Sequence, residues 1–279
     1  MTRNAIIMAA GMSSRFAPLS LETPKALLNV KDEIMIERQI GQLREAGIDE
    51  IVIVVGYLKE KFEYLKEKYH VILVENPYYK QMNNFSTLYV AREYLKNTWI
   101  CSADNYFTEN VFMEESENAF YASEYADGAT EEWCIKTDNT GKITGVQIGG
   151  ENAWVMKGHV FFNEKFSTQL LPYLEEAFQK KELWDEYWEN LYMAHMDEME
   201  MYIRKYDAGI IEEFDSIDEL RKFDVKYKEC TGSKVLREIS EKLNCPEGKM
   251  TQMKPVKSNG EVIGFEFFCD GKKYEYSYT

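Results

Sequence analysis

The first apolar run of the chain, Asn4–Ala10 (NAIIMAA), stops at Gly11, as a strand buried on both faces does. Glu50–Val55 (EIVIVV), Val71–Val74 and Trp99–Ala103 repeat the pattern. Between them lie segments with helical spacing: Ile34–Ala46, closed by Gly47, then Lys59–Tyr69 and Phe85–Lys96. Strand and helix alternating at this interval predict βαβ units. The expected fold is α/β, with a doubly wound, mixed but mainly parallel sheet of Rossmann-like type.

After Asp104 the pattern changes. Phe120–Tyr125, Glu132–Thr137, Ile143–Ile148 and Val155–Phe162 read as short strands, with Asp138–Lys142 (DNTGK) as a hairpin turn. Helices follow over 164–181 and 184–196, then a strand at Glu200–Lys205 and a helix over 217–228 with Ser216 as its N-cap. Residues 230–279 differ in character. A helix at Ser233–Leu243 precedes Val262–Cys269 and Lys272–Tyr278, joined by the Asp270-Gly271 turn. These residues read as a small α+β C-terminal appendage, with the domain boundary near Glu229. The reading is therefore two parts, 1–229 and 230–279.

Composition narrows the partners. With 45% hydrophobic and 14% aromatic residues the chain can bury a sizeable core. Its net charge of −15 argues against nucleic acid, whose binding requires Lys and Arg to neutralise phosphates. Cys101, Cys134, Cys230, Cys245 and Cys269 show no paired spacing and read as reduced thiols of a cytoplasmic protein. The N-terminus lacks the pattern of a signal peptide, and no run reaches the roughly 20 apolar residues of a membrane helix. No membrane insertion is expected.

The candidate chemistry starts directly after the first strand, in AAGMSSRFAPLSLETPKALLNV (residues 9–30). A turn of small residues (Ala9, Ala10, Gly11, Met12, Ser13, Ser14) at a strand's carboxyl end lets backbone N–H groups approach phosphate oxygens. Arg15 and Lys25 add two cations suited to a triphosphate and a departing pyrophosphate. Neither G-x-x-x-x-G-K-[ST] nor G-x-G-x-x-G occurs, so this is neither a P-loop nor a dinucleotide fingerprint.

The segment resembles the signature of sugar-1-phosphate nucleotidyltransferases and related cytidylyltransferases, L-A-A-G-x-G-S-R-x-x-P-L-T-x-x-x-P-K. Met8 stands for the first Leu, Ser20 for the Thr, and Ser13 for a Gly, which changes the freedom of the loop at that point. VVGYLKEKFEYLKEKY (54–69), NNFSTLY (83–89), SADNYF (102–107), EEW (131–133), EYWENL (186–191) and EEFDSID (212–218) are similar to segments of bacterial choline-phosphate cytidylyltransferases. The resemblance runs from about residue 4 to 228 in the same order. It implies transfer of CMP from CTP to phosphocholine, giving CDP-choline and pyrophosphate with Mg²⁺ as cofactor. It also implies that Asp104 and Asp215, assisted by Glu213, bind the metal. By position alone, Asp104 is a turn residue and Asp215 an acid at a helix N-terminus.

For the acceptor, Trp133, Tyr187 and Trp188 are candidates to hold a quaternary ammonium, which binds aromatic faces because it has no N–H to donate. Trp188 also belongs to a helical stripe with Trp184, Leu191 and His195, which fits core packing equally well. Glu212 stands where the choline-type enzymes carry an aromatic residue, which admits a primary ammonium and thus 2-aminoethylphosphonate. A sugar phosphate fits the aromatic, acidic segments less well. Asn84, Ser86 and Thr87 are candidates to face the nucleotide, with helix capping by Asn84 as the plainer reading. A catalytically silent nucleotide-binding module is a third reading, disfavoured because Arg15, Lys25, Asp104 and Asp215 are all retained. The stretch at 253–278 weakly resembles the opening strands of choline-kinase-like N-lobes, without the catalytic loop of a kinase. Every candidate residue lies before Glu229, so the tail is expected to be accessory: a lid, a homodimer contact or a remnant.

Overall fold

The computed structural model describes residues 3–278. In chain order the first strands are β1 Arg3–Ala9, β2 Asn29–Val30, β3 Glu33–Ile34, β4 Glu50–Val55, β5 Ile72–Glu75, β6 Asn97–Ser102 and β7 Asn105–Phe107. They continue with β8 Phe120–Thr137, β9 Ile143–Phe162, β10 Tyr202–Tyr206, β11 Ile211–Glu213, β12 Thr251–Ser258, β13 Glu261–Cys269 and β14 Lys272–Ser277. The helices are α1 Leu19–Glu22, α2 Met35–Glu45, α3 Tyr64–Tyr69, α4 Phe85–Val90, α5 Glu164–Gln179, α6 Trp188–Ala194, α7 Ile217–Phe223, α8 Lys226–Glu229 and α9 Lys234–Leu243. The chain forms two compact units, each built from separate segments. One takes the residues up to Gly11 and Glu37–Glu212; the other takes Met12–Ile36 and everything from Glu213 onward.

The first unit is organised by a seven-stranded sheet in the order β10-β8-β9-β6-β1-β4-β5. Strands β6, β1, β4 and β5 run parallel, and β9 is antiparallel to both β6 and β8. The apolar run of β1 predicts this placement: Ala5, Ile6 and Ile7 are wholly buried between two parallel neighbours. At its carboxyl end the packing tolerates no side chain opposite Ala10. A Cβ on Gly56 would lie 2.9 Å from the Ala10 carbonyl, which accepts the Tyr57 N–H at 3.1 Å. The turn after β6 is held by α2, whose Gln39 amide donates to the carbonyls of Ser102 (2.8 Å) and Asn105 (2.7 Å).

Beyond Asp104 the structure is more continuous than the sequence suggests. The four short strands expected over 120–162 form one long hairpin, β8 and β9. The Gly128 and Gly149-Gly150 interruptions are register shifts within paired strands, not strand ends. Conversely, two expected helices are shorter. Phe85–Lys96 divides into α4 and a 3-10 turn at Arg92–Tyr94, and Lys59–Tyr69 into a 3-10 turn and α3.

The second unit contains Met12–Ile36, with most of the signature segment, and the C-terminal elements. The expected boundary near Glu229 falls inside it, and the side chains show why. The Arg221 guanidinium is buried and donates to the carbonyls of Tyr227, Glu247 and Met250, so residues on both sides of that position share one cation. Ser216 caps α7 as expected, accepting the Glu219 N–H at 3.2 Å. The tail carries one more strand than the sequence reading found. β12 pairs with β13 across Asn259-Gly260, both at positive φ (49° and 82°), which is the chemistry of a tight hairpin turn. Pro255 and two lysines disguise β12 as a loop. Cys245 and Cys269 are joined in a disulfide that ties the end of α9 to the end of β13. This corrects the expectation of five reduced thiols: residues 24 apart in sequence meet because α9 and the hairpin fold together. Cys101, Cys134 and Cys230 are free.

Within the signature segment, Ser13 adopts φ 46° and ψ 44°, left-handed backbone that the glycine of related sequences takes without strain. A left-handed residue other than glycine costs roughly 1–2 kcal/mol, more than the roughly 0.5–1 kcal/mol that glycine's extra chain entropy costs. Ser13→Gly is therefore expected to hold or raise the melting temperature, and Ser13→Val to lower it. A Gly variant that melts below wild type would show that the serine hydroxyl stabilises the loop.

Candidate active site

The signature segment is organised around Arg15 and Lys25. Arg15 sits in the 3-10 turn Ser14–Phe16, and its exposed guanidinium donates to the Asp215 carboxylate at 2.8 Å. The same Asp215 is fixed through its backbone, whose N–H donates to Glu219 at 2.7 Å. The structure thus brings two of the expected residues, 200 apart in sequence, into direct contact. Lys25 is buried, with its ammonium 5.1 Å from the centre of the Phe16 ring. Glu213 is exposed at the end of β11. Among the described residues, the only gathered set of three side chains with metal-donor atoms is Cys245, Cys269 and Asp270, and two of its sulfurs are consumed by the disulfide.

In the first unit, Ala9 ends β1 and Ala10 and Gly11 lead out of it. Asp104 lies in the turn between β6 and β7, at the carboxyl end of a parallel strand, the position at which such sheets bind ligands.

The aromatic candidates separate. Trp133 on β8 and Tyr187 just before α6 meet edge to face, with centroids 5.9 Å apart at 83°. Trp133 is partly buried and Tyr187 is 45% exposed, so this corner has a solvent-facing side. Trp188 is different. It is fully buried, stacked on Tyr121 (6.0 Å, 13°) and edge-on to Phe162 (5.1 Å). Of the two readings of Trp188, its surroundings fit core packing: its helical stripe faces the core, and other aromatic rings occupy its neighbourhood.

The polar residues of 84–87 are also engaged internally. Asn84 accepts the Trp188 N–H at 2.8 Å and donates to the Glu189 carboxylate at 3.1 Å. It precedes α4 without a side-chain capping bond. Ser86 and Thr87 are buried and accept from the Asn76 amide at 3.0 and 3.2 Å. Asn84 stitches the loop at 83–87 to the segment 184–189, to which Asn83 adds bonds to the carbonyls of Trp184 and Asp185.

That stitching exposes a residue the sequence reading passed over. Glu189 accepts from both Asn84 and the Tyr121 hydroxyl (3.2 Å), one residue beyond Trp188. Desolvation pushes its carboxyl up to about 7, against hydrogen bonds from Asn84, its own backbone N–H and Tyr121 that favour the anion. The E-Y-W-E spelling at 186–189 was its signal, but among 48 acids a partly buried one looks like any other. Glu212 is partly buried on β11. Burial raises its pKa, Lys157 lowers it, and Glu124 raises it further. Lys157 and Glu124 are themselves an ion pair at 2.7 Å.

A parallel sheet that delivers a small-residue turn from its first strand, followed by an Arg and a buried Lys, defines a nucleotidyltransferase. The chain belongs to the MobA-like NTP transferase domain family, whose pattern matches residues 5–182. It is 36% identical over 220 residues to the choline-phosphate cytidylyltransferase of Streptococcus pneumoniae, an alignment covering 79% of this chain and 96% of that protein. It is 37% identical over 228 residues to the 2-aminoethylphosphonate cytidylyltransferase of Lancefieldella rimae, covering 80% of this chain and 93% of that one. The solved structure of the S. pneumoniae CTP:phosphocholine cytidylyltransferase superposes with a TM-score of 0.76, over 80% of this chain and 97% of that chain. The fold is that of the nucleotidyltransferases, and the chain is an enzyme of that class. No helix among the described residues is long and apolar enough to cross a membrane.

Trp133→Ala should lower kcat/KM for a trimethylammonium acceptor by roughly two- to thirtyfold relative to a primary-amine acceptor, the size of one cation–π contact. Trp188→Ala should instead destabilise the protein by about 3–5 kcal/mol and leave that ratio unchanged. Equal ratios in wild type and Trp133→Ala would remove the aromatic corner from the site. The Glu189 carboxyl keeps its proton in the folded state up to about pH 7 but loses it near 4.5 when unfolded. Its contribution to stability is thus present below about 4.5 and lost as pH rises through 7. The neutral Glu189→Gln should therefore gain melting temperature relative to wild type between pH 5 and pH 8. A constant difference across that range would place the proton elsewhere.

Proposed function

We propose that this enzyme transfers CMP from CTP to phosphocholine, releasing pyrophosphate. The observation that carries the choice of acceptor is the Trp133–Tyr187 corner. An acceptor phosphate oxygen attacks the α-phosphorus, and the bond from that phosphorus to the pyrophosphate oxygen breaks. Arg15 and Lys25 would hold the phosphates, and backbone N–H groups over Ala9–Ser14 would take the phosphate oxygens. No covalent intermediate on the protein is required; positioning and charge stabilisation supply the acceleration.

Mg²⁺ suits the acids present. Asp104, Asp215 and Glu213 are each proposed as donors, because Mg²⁺ prefers oxygen and is often held by only one or two carboxylates, with water and substrate phosphates completing the set. The Asp215 carboxylate already attracts a cation, the Arg15 guanidinium. When bound, the metal would neutralise phosphate charge. A cytoplasmic setting is proposed on the same ground, since the reaction draws on the CTP pool.

Glu212 supports a second reading, in which 2-aminoethylphosphonate is the acceptor: a carboxylate there offers an acceptor for a primary ammonium, which a trimethylammonium cannot use.

Pyrophosphate release measured with the four NTPs against phosphocholine, phosphoethanolamine, 2-aminoethylphosphonate and glucose-1-phosphate tests both. CTP with phosphocholine is expected to turn over fastest. Faster turnover of 2-aminoethylphosphonate would favour the second reading, and Glu212→Tyr should then shift preference back toward phosphocholine. Faster glucose-1-phosphate would overturn both. Asp104→Asn and Asp215→Asn should each lower kcat severely in a folded protein, because each removes charge stabilisation worth several kcal/mol.

A further inference from the structure

The tail of the second unit is bonded to the signature segment. Glu22 lies at the end of α1, three residues before Lys25, and its carboxylate accepts from the first turn of α9: the Ser233 hydroxyl and the N–H groups of Lys234 (2.8 Å) and Val235 (3.3 Å). A carboxylate at the N-terminus of a ten-residue helix satisfies otherwise open donors and meets the positive end of the dipole. The start of α9 is in turn anchored. The Ser233 N–H donates to the Thr231 hydroxyl, and Thr231 donates twice to the Glu247 carboxylate, at 2.8 and 2.6 Å. Glu247 and Met250 then give their carbonyls to Arg221. The second contact is made by β12, which packs against the Ser14–Phe16 turn that carries Arg15. The Cys245–Cys269 disulfide closes the element by joining α9 to β13, the partner of β12.

We propose that the C-terminal helix and sheet position Arg15 and Lys25 for the triphosphate, with Glu22 as the positioning residue through which α9 acts. The signature segment has little regular structure of its own: two short 3-10 turns, the four-residue α1 and the two-residue strands β2 and β3. Such a segment holds a fixed geometry only where neighbours hold it. The alignment to the S. pneumoniae enzyme leaves about a fifth of this chain uncovered. The expected accessory role of the tail is thereby replaced by a role in nucleotide binding. This inference rests on the nucleotidyltransferase reading of Arg15 and Lys25.

The test uses full-length protein. CTP affinity is measured by calorimetry, and KM for CTP, KM for phosphocholine and kcat by pyrophosphate release, for wild type, Glu22→Ala, Glu22→Gln, Glu22→Asp, Ser233→Ala and the Glu22→Ala/Ser233→Ala pair. Melting temperature is followed alongside. Glu22→Ala should weaken CTP binding roughly tenfold, the size of a lost hydrogen bond to a charged group, with KM for phosphocholine unchanged. Glu22→Gln and Glu22→Asp should fall between it and wild type, since each keeps an acceptor oxygen. Adding Ser233→Ala to Glu22→Ala should cost less than its effect alone, because the two share one contact. CTP affinity within twofold of wild type in folded Glu22→Ala overturns the inference. So does a loss in which KM for both substrates and kcat move together with the melting temperature. A wild type that neither binds nor turns over CTP overturns the proposed function itself, an outcome the variants cannot mimic.

Discussion

Strand β1 is pinned along both edges by parallel partners, and Ala5, Ile6 and Ile7 on it are wholly buried. Its carboxyl end therefore cannot shift without breaking two ladders at once. The bond from Tyr57 to the Ala10 carbonyl, and the bare Gly56 beneath it, carry that rigidity to the first residues of the turn. A small-residue loop is useful for phosphate only if its N–H groups point where the strand sends them. Here burial of three residues fixes where the chemistry begins, and the parallel partner β6 places Asp104 by the same means.

Past Gly11 the chain leaves that protection and joins a different compact unit. Ser13 marks the crossing with a left-handed turn made without glycine. From there to Ile36 the backbone is held by side chains from far along the sequence. Asp215 takes Arg15, the Tyr227 hydroxyl donates to the Asn29 carbonyl at 2.9 Å, Asp224 takes the Lys31 N–H at 2.8 Å, and α9 takes Glu22. Each bond is modest alone, about 1 kcal/mol net. Together they hold the signature segment from several points along its length, which local propensity could not do for so irregular a stretch.

The parallel half of the sheet was legible because its determinants are local: apolar runs of four to seven residues, closed by Gly11, Gly56 or Asp104. The long hairpin was half legible. Its four expected strands stop short of Gly128 and Gly149, because sequence cannot distinguish a glycine that stops a strand from one that bulges it. β12 was lost to Pro255 and its lysines, although Asn259-Gly260 announced its turn. The disulfide depends on tertiary pairing of α9 with the hairpin, and the bonds of Arg221 to Glu247 and Met250 likewise join distant residues; neither leaves a spacing to read. In the site, Arg15 and Asp215 were named as candidates for separate reasons, and only the fold shows that they touch.

Trp188 and Tyr187 illustrate how selectivity is distributed. Adjacent in sequence, they straddle the start of α6, so one ring enters the core and the other stays at the surface. The segment around them is rich in groups that look able to recognise a ligand. Yet Asn84 is committed to the Trp188 N–H and to Glu189, and Ser86 and Thr87 are committed to Asn76. A buried polar group already bonded within the fold gives up that bond only at a cost of about 1–3 kcal/mol, so it discriminates poorly between acceptors. In the proposed function, discrimination passes to groups whose interaction energy is still to be realised: the faces of Trp133 and Tyr187, which favour a methylated cation, and the partly buried Glu212, which favours one with N–H to donate. On that proposal the two preferences oppose each other, and the acceptor would be set by which of them the substrate reaches.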